Sequence, residues 1–238
     1  KLQKQGDVRP KALASSDSAT KKISGGPSSH LIAIGASTGG TEAIMDVLKH
    51  VPPGSPGIVI SQHIPPGFSA SFARRVDAAT AVHFKEATDG ELIRDGHAYL
   101  APGDRHLKIV ADSQGFRCVL DDGPRVSLHK PSVDVMFQSL ADARARNTLG
   151  IILTGMGRDG ATGLKSLRGT GAYTIAQDKD SSVVYGMPRA AVDEGGVAKQ
   201  LSLDNIGRYV AQHAEKTSSF KTQSEGMESL RQRVSDSS

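Results

Sequence analysis

Leu31-Ile-Ala-Ile-Gly-Ala-Ser-Thr-Gly-Gly-Thr41 decides the fold class. Leu31 to Ala36 is an apolar run of strand length, and residues 41–51 carry Ala43, Ile44, Val47, Leu48 and Val51 at the i, i+3, i+4 spacing of a helix with one apolar face. Gly35, Gly39 and Gly40 supply the tight turn and close backbone approach that the passage from one element to the next demands. Strand, glycine-rich turn and helix in that order open a parallel sheet.

The same alternation continues outward. Residues 57–61 read as a strand, 69–76 as a helix and 82–85 as a third strand. From Ala98 to Leu120 the pattern changes: 106–110 and 116–120 are short β runs around the turn Asp112-Ser113-Gln114-Gly115, an antiparallel hairpin. Helical spacing returns at Val133, Met136, Phe137 and Leu140 after a start at Pro131-Ser132. Strands at 149–153, 172–176 and 197–201 then alternate with helices after Asp159, near 188–194, and around Ile206, Val210 and His213. The expected class is α/β: a doubly wound, mostly parallel sheet of six or seven strands, with helices on both faces and an inserted antiparallel β-hairpin. Such sheets hold ligands at the carboxyl ends of their strands.

Composition narrows the function classes. The 238 residues carry a formal charge of +4 and a pI near 9.2. Residues 1–29 alone hold six Lys or Arg against two Asp, so the surplus sits there and the remainder is neutral overall. With four Tyr, six Phe and no Trp, stacking platforms for single-stranded nucleic acid are few, and no nucleic-acid partner is expected. One cysteine, Cys118, excludes an internal disulfide. No apolar run approaches the roughly 18 residues of a membrane span, and no signal-peptide core is present, so a cytoplasmic protein without membrane insertion is expected. Residues 1–29, rich in Lys, Ser, Gly and Ala, read as a flexible basic linker, 30–213 as one folded catalytic domain, and 214–238 as a disordered C-terminal tail in which Met227 and Leu230 share a short helical spacing. With Lys1 in place of an initiator Met, the chain is expected to be a fragment.

Three strand ends carry chemistry. Gly35-Ala-Ser37-Thr-Gly39 admits three readings: a helix cap by Ser37, Thr38 or Thr41; a phosphate cradle; or a G-x-S-x-G nucleophile lifted at a strand-to-helix turn. The cradle fits poorly, because Ser37 replaces the second glycine of G-x-G-x-x-G and the second strand ends in Ser61-Gln62-His63 without a ribose-binding acid. Pro65 and Pro66 stop that strand and hold His63 at the sheet edge, where an imidazole can take and return a proton. Asp159, before a helix, reads equally as an N-cap and as an acid. Taken together, a Ser, a His and an Asp at three strand exits match nucleophile, proton carrier and orienting carboxylate. The order Ser, His, Asp along the chain excludes an α/β-hydrolase, which runs Ser, acid, His. His83, His97, His106 and His129 lack metal-ligand spacing, so neither metal nor cofactor is expected.

Five segments also carry a family resemblance: Leu31–Thr41, Ser61–Phe68, Ala101-Pro-Gly-Asp-Arg-His106, His129-Lys-Pro-Ser-Val-Asp134 and Ile152-Leu-Thr-Gly-Met-Gly-Arg-Asp-Gly160. Together, from about Leu31 to Val210, they closely resemble the catalytic domain of the CheB family, the protein-glutamate methylesterases of bacterial chemotaxis. The resemblance implies a serine hydrolase that removes methyl groups from glutamate γ-methyl esters on methyl-accepting chemoreceptors, releasing methanol, and that deamidates receptor glutamines. It implies Ser37 as nucleophile, His63 as base, Asp159 as acid and the backbone N–H of Met156 as oxyanion donor. It further implies a phosphorylatable N-terminal receiver domain in the full-length protein, as in two-component signalling, with 1–29 the remnant of the interdomain linker. Outside this resemblance, a nucleotide- or phosphate-binding module and an inactive receptor adaptor stand as the rival readings of the same glycine-rich strand ends.

Overall fold

The structure, a computed structural model, describes residues 25–217. β1 (Leu31–Ala36) leads into α1 (Gly40–Leu48), β2 (Gly57–Gln62) and α2 (Ser69–Ala79). Next come β3 (His83–Glu86), β4 (His97–Leu100) and the hairpin β5 (His106–Asp112) and β6 (Gly115–Asp121). α3 (Val133–Asp142), β7 (Thr148–Ile152), α4 (Ala161–Gly169), β8 (Tyr173–Gln177), α5 (Met187–Asp193) and β9 (Lys199–Leu201) follow. Residues 203–217 are helical and form α6.

Seven strands make one parallel sheet in the order β3-β4-β2-β1-β7-β8-β9, while β5 and β6 pair antiparallel with each other. The chain builds outward from β1 through β2 to one edge, then returns to β7 on the other side of β1. The direction of winding thus reverses between β1 and β7, and a crevice opens beyond their carboxyl ends.

β1, β2 and β7 are buried along their whole length, as expected of strands covered on both faces. Alternate side chains enter different cores. Ile32, Ile34 and Ala36 pack with Ile44, Leu48, Val76, Ile206 and Val210 beneath α1, α2 and α6. Leu31 and Ala33 join Leu107, Ile109, Phe137, Leu140 and Leu164 under the hairpin, α3 and α4. Each fully buried Leu, Ile or Phe contributes about 1.5–3 kcal/mol, so the two layers together hold the strand ends in place.

The strand pattern differs from the sequence reading mainly at β4, which joins the sheet between β3 and β2. Its four residues sit next to the hairpin and were absorbed into that change of pattern; pairing with both neighbours makes so short a run a strand. Residues before 30 also make contacts with the sheet domain. Pro27 bridges Arg94, Ser28 donates its N–H to Ile93 O at 2.9 Å, and Ser28 is buried. Ala214 is buried on α6, whose described part continues to residue 217. The remainder of the expected linker and tail, including Met227 and Leu230, lies outside the described residues. Among the described residues, no helix is long and apolar enough to cross a membrane, and no group of three or more His, Cys, Asp or Glu could hold a metal ion.

Candidate active site

Ser37 follows the last residue of β1, and its main chain is fixed from three directions. Its N–H donates to Thr154 O at 3.0 Å, and its carbonyl accepts from Gly40 N–H at 2.8 Å and from Gln62 Nε2 at 2.9 Å. α1 then starts at Gly40 after its N-cap Gly39, which has φ +79° and forms no side-chain cap. The capping reading of Ser37, Thr38 and Thr41 is therefore not what the structure adopts. Glycine is required a second time at Gly155, where a Cβ would stand 2.7 Å from Ser37 Cβ and 2.3 Å from Met187 Sδ. The β7 exit presses directly against the serine.

His63 leaves β2 beside it, with its N–H on Ala36 O at 3.1 Å. Gln62, buried, donates a second hydrogen bond from the same Nε2 to His63 O at 2.9 Å. One carboxamide therefore ties the backbones of Ser37 and His63 together. The His63 ring places Nδ1 2.9 Å from Ser37 Oγ and Nε2 2.7 Å from Asp159 Oδ2. With the proton on Nε2 given to Asp159, Nδ1 is left to accept the serine hydroxyl. His129 stacks on the same ring, centroids 3.6 Å apart and planes within 10°. Burial, then the neighbouring His63, hold the His129 imidazole below its ordinary pKa, with Arg125 adding to them against the pull of Asp159.

Asp159 is 1% exposed, and each carboxylate oxygen has two donors. Oδ2 accepts from His63 and from Val133 N–H at 2.7 Å; Oδ1 accepts from Ser132 Oγ at 2.7 Å and Asp134 N–H at 3.0 Å. Ser132, Val133 and Asp134 are the start of α3, so the carboxylate occupies that helix's anion-binding end. Burial pushes the Asp159 pKa up, but the bonds from His63, Val133, Ser132 and Asp134 outweigh it and hold the carboxyl below its ordinary value. Asp134 shifts the other way, raised by burial first and by the Asp159 charge, against the Gly163 N–H. The Ser132 N–H reaches His106 Nδ1 at 3.1 Å, and His106 Nε2 donates to Pro124 O, which anchors the start of α3 to the hairpin.

The Ser, His and Asp singled out in the sequence thus meet in one hydrogen-bonded relay. Asp159 does cap a helix, but α3 rather than α4, whose N-cap is Gly160. Met156, 70% exposed, follows Gly155 at the serine, and the N–H groups of Met156 and Thr38 have no acceptor among the described residues. Sequence reasoning missed Gln62, His129, Ser132 and Thr38. His129, Ser132 and Gln62 all lay inside quoted segments; only their contacts across 25 or more residues reveal a task.

Comparison with known proteins places the chain in a family. The family model described as CheB methylesterase matches residues 32–210. A protein of Yersinia pestis bv. Antiqua named protein-glutamate methylesterase/protein-glutamine glutaminase is 53% identical over 181 residues, 76% of this chain and 52% of that protein. Its namesake in Escherichia coli O157:H7 is 49% identical over 194 residues, 80% of this chain and 56% of that protein. The chain therefore spans about half the length of the curated relatives it matches. The crystal structure of the Thermotoga maritima CheB methylesterase catalytic domain superposes with a TM-score of 0.74 at 34% identity, covering 80% of this chain and 99% of that one. Sequence identity, fold likeness and the matched span agree, and the chain belongs to the CheB methylesterase family.

Proposed function

We propose that this chain is the catalytic part of a cytoplasmic protein-glutamate methylesterase and protein-glutamine glutaminase, acting on chemoreceptors without cofactor or metal. Ser37, His63 and Asp159 carry the reaction. The relay Ser37 Oγ to His63 Nδ1 at 2.9 Å and His63 Nε2 to Asp159 Oδ2 at 2.7 Å carries this reading. In it, Ser37 Oγ attacks the γ-carbonyl of the ester as His63 Nδ1 accepts the hydroxyl proton, and Asp159 stabilises the imidazolium. His63 returns the proton to the departing methanol. Water, activated by the same nitrogen, then cleaves the glutamyl-enzyme to a glutamate carboxylate and frees Ser37. A glutamine substrate follows the same path with ammonia leaving.

The oxyanion is held by main-chain donors, Met156 N–H and Thr38 N–H; that neither has an acceptor among the described residues supports the assignment. In the full-length protein an N-terminal receiver domain regulates the site, a proposal supported by the length of the relatives beyond the matched span.

Methanol release from methylated chemoreceptors tests the reading. Ser37→Ala is expected to lower the rate by about 10⁴ or more with folding intact by circular dichroism. Undiminished methanol release from Ser37→Ala protein overturns it.

A further inference from the structure

A cavity of about 340 Å³ adjoins the relay, within the range of small-ligand clefts. His63, His129, Pro65 and Pro131 form its walls, and Arg125 and Lys130 its charged lining. Among the described residues no Asp or Glu lines it, and both cations donate only to main-chain carbonyls, Arg125 to Leu128 O and Lys130 to Asp122 O, each at 3.3 Å. Among the described residues neither has a carboxylate partner. Arg105, by contrast, pairs with the Asp122 carboxylate at 3.3 Å. In a domain that is neutral overall, two unmatched cations in one cleft form a local anion site.

Its position identifies the anion. His63 is at once a wall of this cavity and the partner of Ser37 Oγ, so an occupant lies beside the reacting carbonyl. A group held that close to the ester is carried by the substrate itself. An acidic side chain suits the site: its carboxylate accepts from the Arg125 guanidinium and the Lys130 ammonium, and its methylenes lie against Pro65 and Pro131. We propose that this cleft is a specificity subsite for a carboxylate side chain flanking the glutamyl ester, read by Arg125 and Lys130. The inference rests on the esterase reading above and adds a sequence preference to it.

Two synthetic peptides test it, each with one central glutamate γ-methyl ester, one flanked by glutamates and the other by glutamines. The full 238-residue chain is expected to release methanol from the acidic peptide with a kcat/KM about tenfold higher, mainly through KM, at low ionic strength. Raising the salt to 1 M shrinks the preference, because the cleft opens to solvent. Arg125→Gln with Lys130→Gln brings the ratio between the peptides toward one. The unesterified acidic peptide competes with the ester, and its glutamine counterpart does so about tenfold less well. Equal kcat/KM for the two esters with the wild-type chain overturns the subsite and leaves the esterase reading standing. A preference that survives in the double variant shows the selectivity to lie elsewhere and overturns the assignment to these two cations. Methanol from neither peptide, with receptors also untouched, overturns the esterase reading and the inference with it.

Discussion

Two helix starts face the relay, and they are used in opposite ways. The first turn of α3 is filled: Val133 and Asp134 N–H and the Ser132 hydroxyl all point at the Asp159 carboxylate, a charge that is present throughout the cycle. The turn into α1 is left open: Gly39 offers no side-chain cap, and Thr38 N–H has no acceptor among the described residues. A permanent anion rewards permanent donors. A charge that exists only while Ser37 is bonded to a tetrahedral carbon is best met by donors with no other partner. In the proposed reaction the same element, a helix N-terminus beside a strand end, serves ground-state organisation in one place and the transition state in the other.

The comparison is broken most severely at Asp159. In Asp159→Asn, either orientation of the amide turns its NH₂ toward a backbone N–H, of Val133 or of Asp134, that can only donate. The imidazolium also loses its counter-charge. A fall of about 10⁴ in kcat is expected from single-turnover methanol release, with binding of the uncleaved ester changed little.

The open start is probed at Gly39. Gly39→Ala must hold φ +79° with its Cβ 2.8 Å from Val183 Cβ, and a loss of about 1–3 kcal/mol in urea unfolding is expected. Gly67 makes the control that sharpens the result: it has φ +84° with nothing within 4 Å, so Gly67→Ala carries the backbone strain alone and loses less.

Asp134 gives the smallest effect and the opposite sign to its neighbour. Its pKa is raised, so its ionised form weakens the fold above that value, and the penalty disappears as the pH falls below the ordinary Asp range. Asp134→Asn keeps an oxygen for Gly163 N–H and is expected to raise Tm by about 2–4 °C at neutral pH, the gain vanishing in acid. Asp159, with a lowered pKa, contributes stability above the ordinary Asp value that is lost as the pH falls through its own. Thermal melts from pH 7 down to pH 3 separate the two.

What the sequence disclosed follows the range of the interactions. β1, its turn and α1 were legible because apolar spacing and glycine placement are local. Ser37, His63 and Asp159 could be chosen because each lies in the segment leaving a strand of one parallel sheet, and topology gathers strand exits. The Asp159 cap was half legible: an acid at a helix start was recognised, and the wrong helix assigned, because α3 lies 25 or more residues earlier and only the packed fold sets it against β7. Ser132 was read as a helix start, and so it is; its hydroxyl also donates to Asp159, a second use without a local signal. The His63 and His129 stack joins loops 66 residues apart, and irregular histidine spacing conceals it.

Gln62 has a mechanical consequence. Its single Nε2 grips the carbonyls of Ser37 and His63, two residues on adjacent strands whose side chains must stay within hydrogen-bond reach. A crossbar between neighbouring rails keeps their gauge, and here it limits how far thermal twisting of β1 against β2 can part hydroxyl from imidazole.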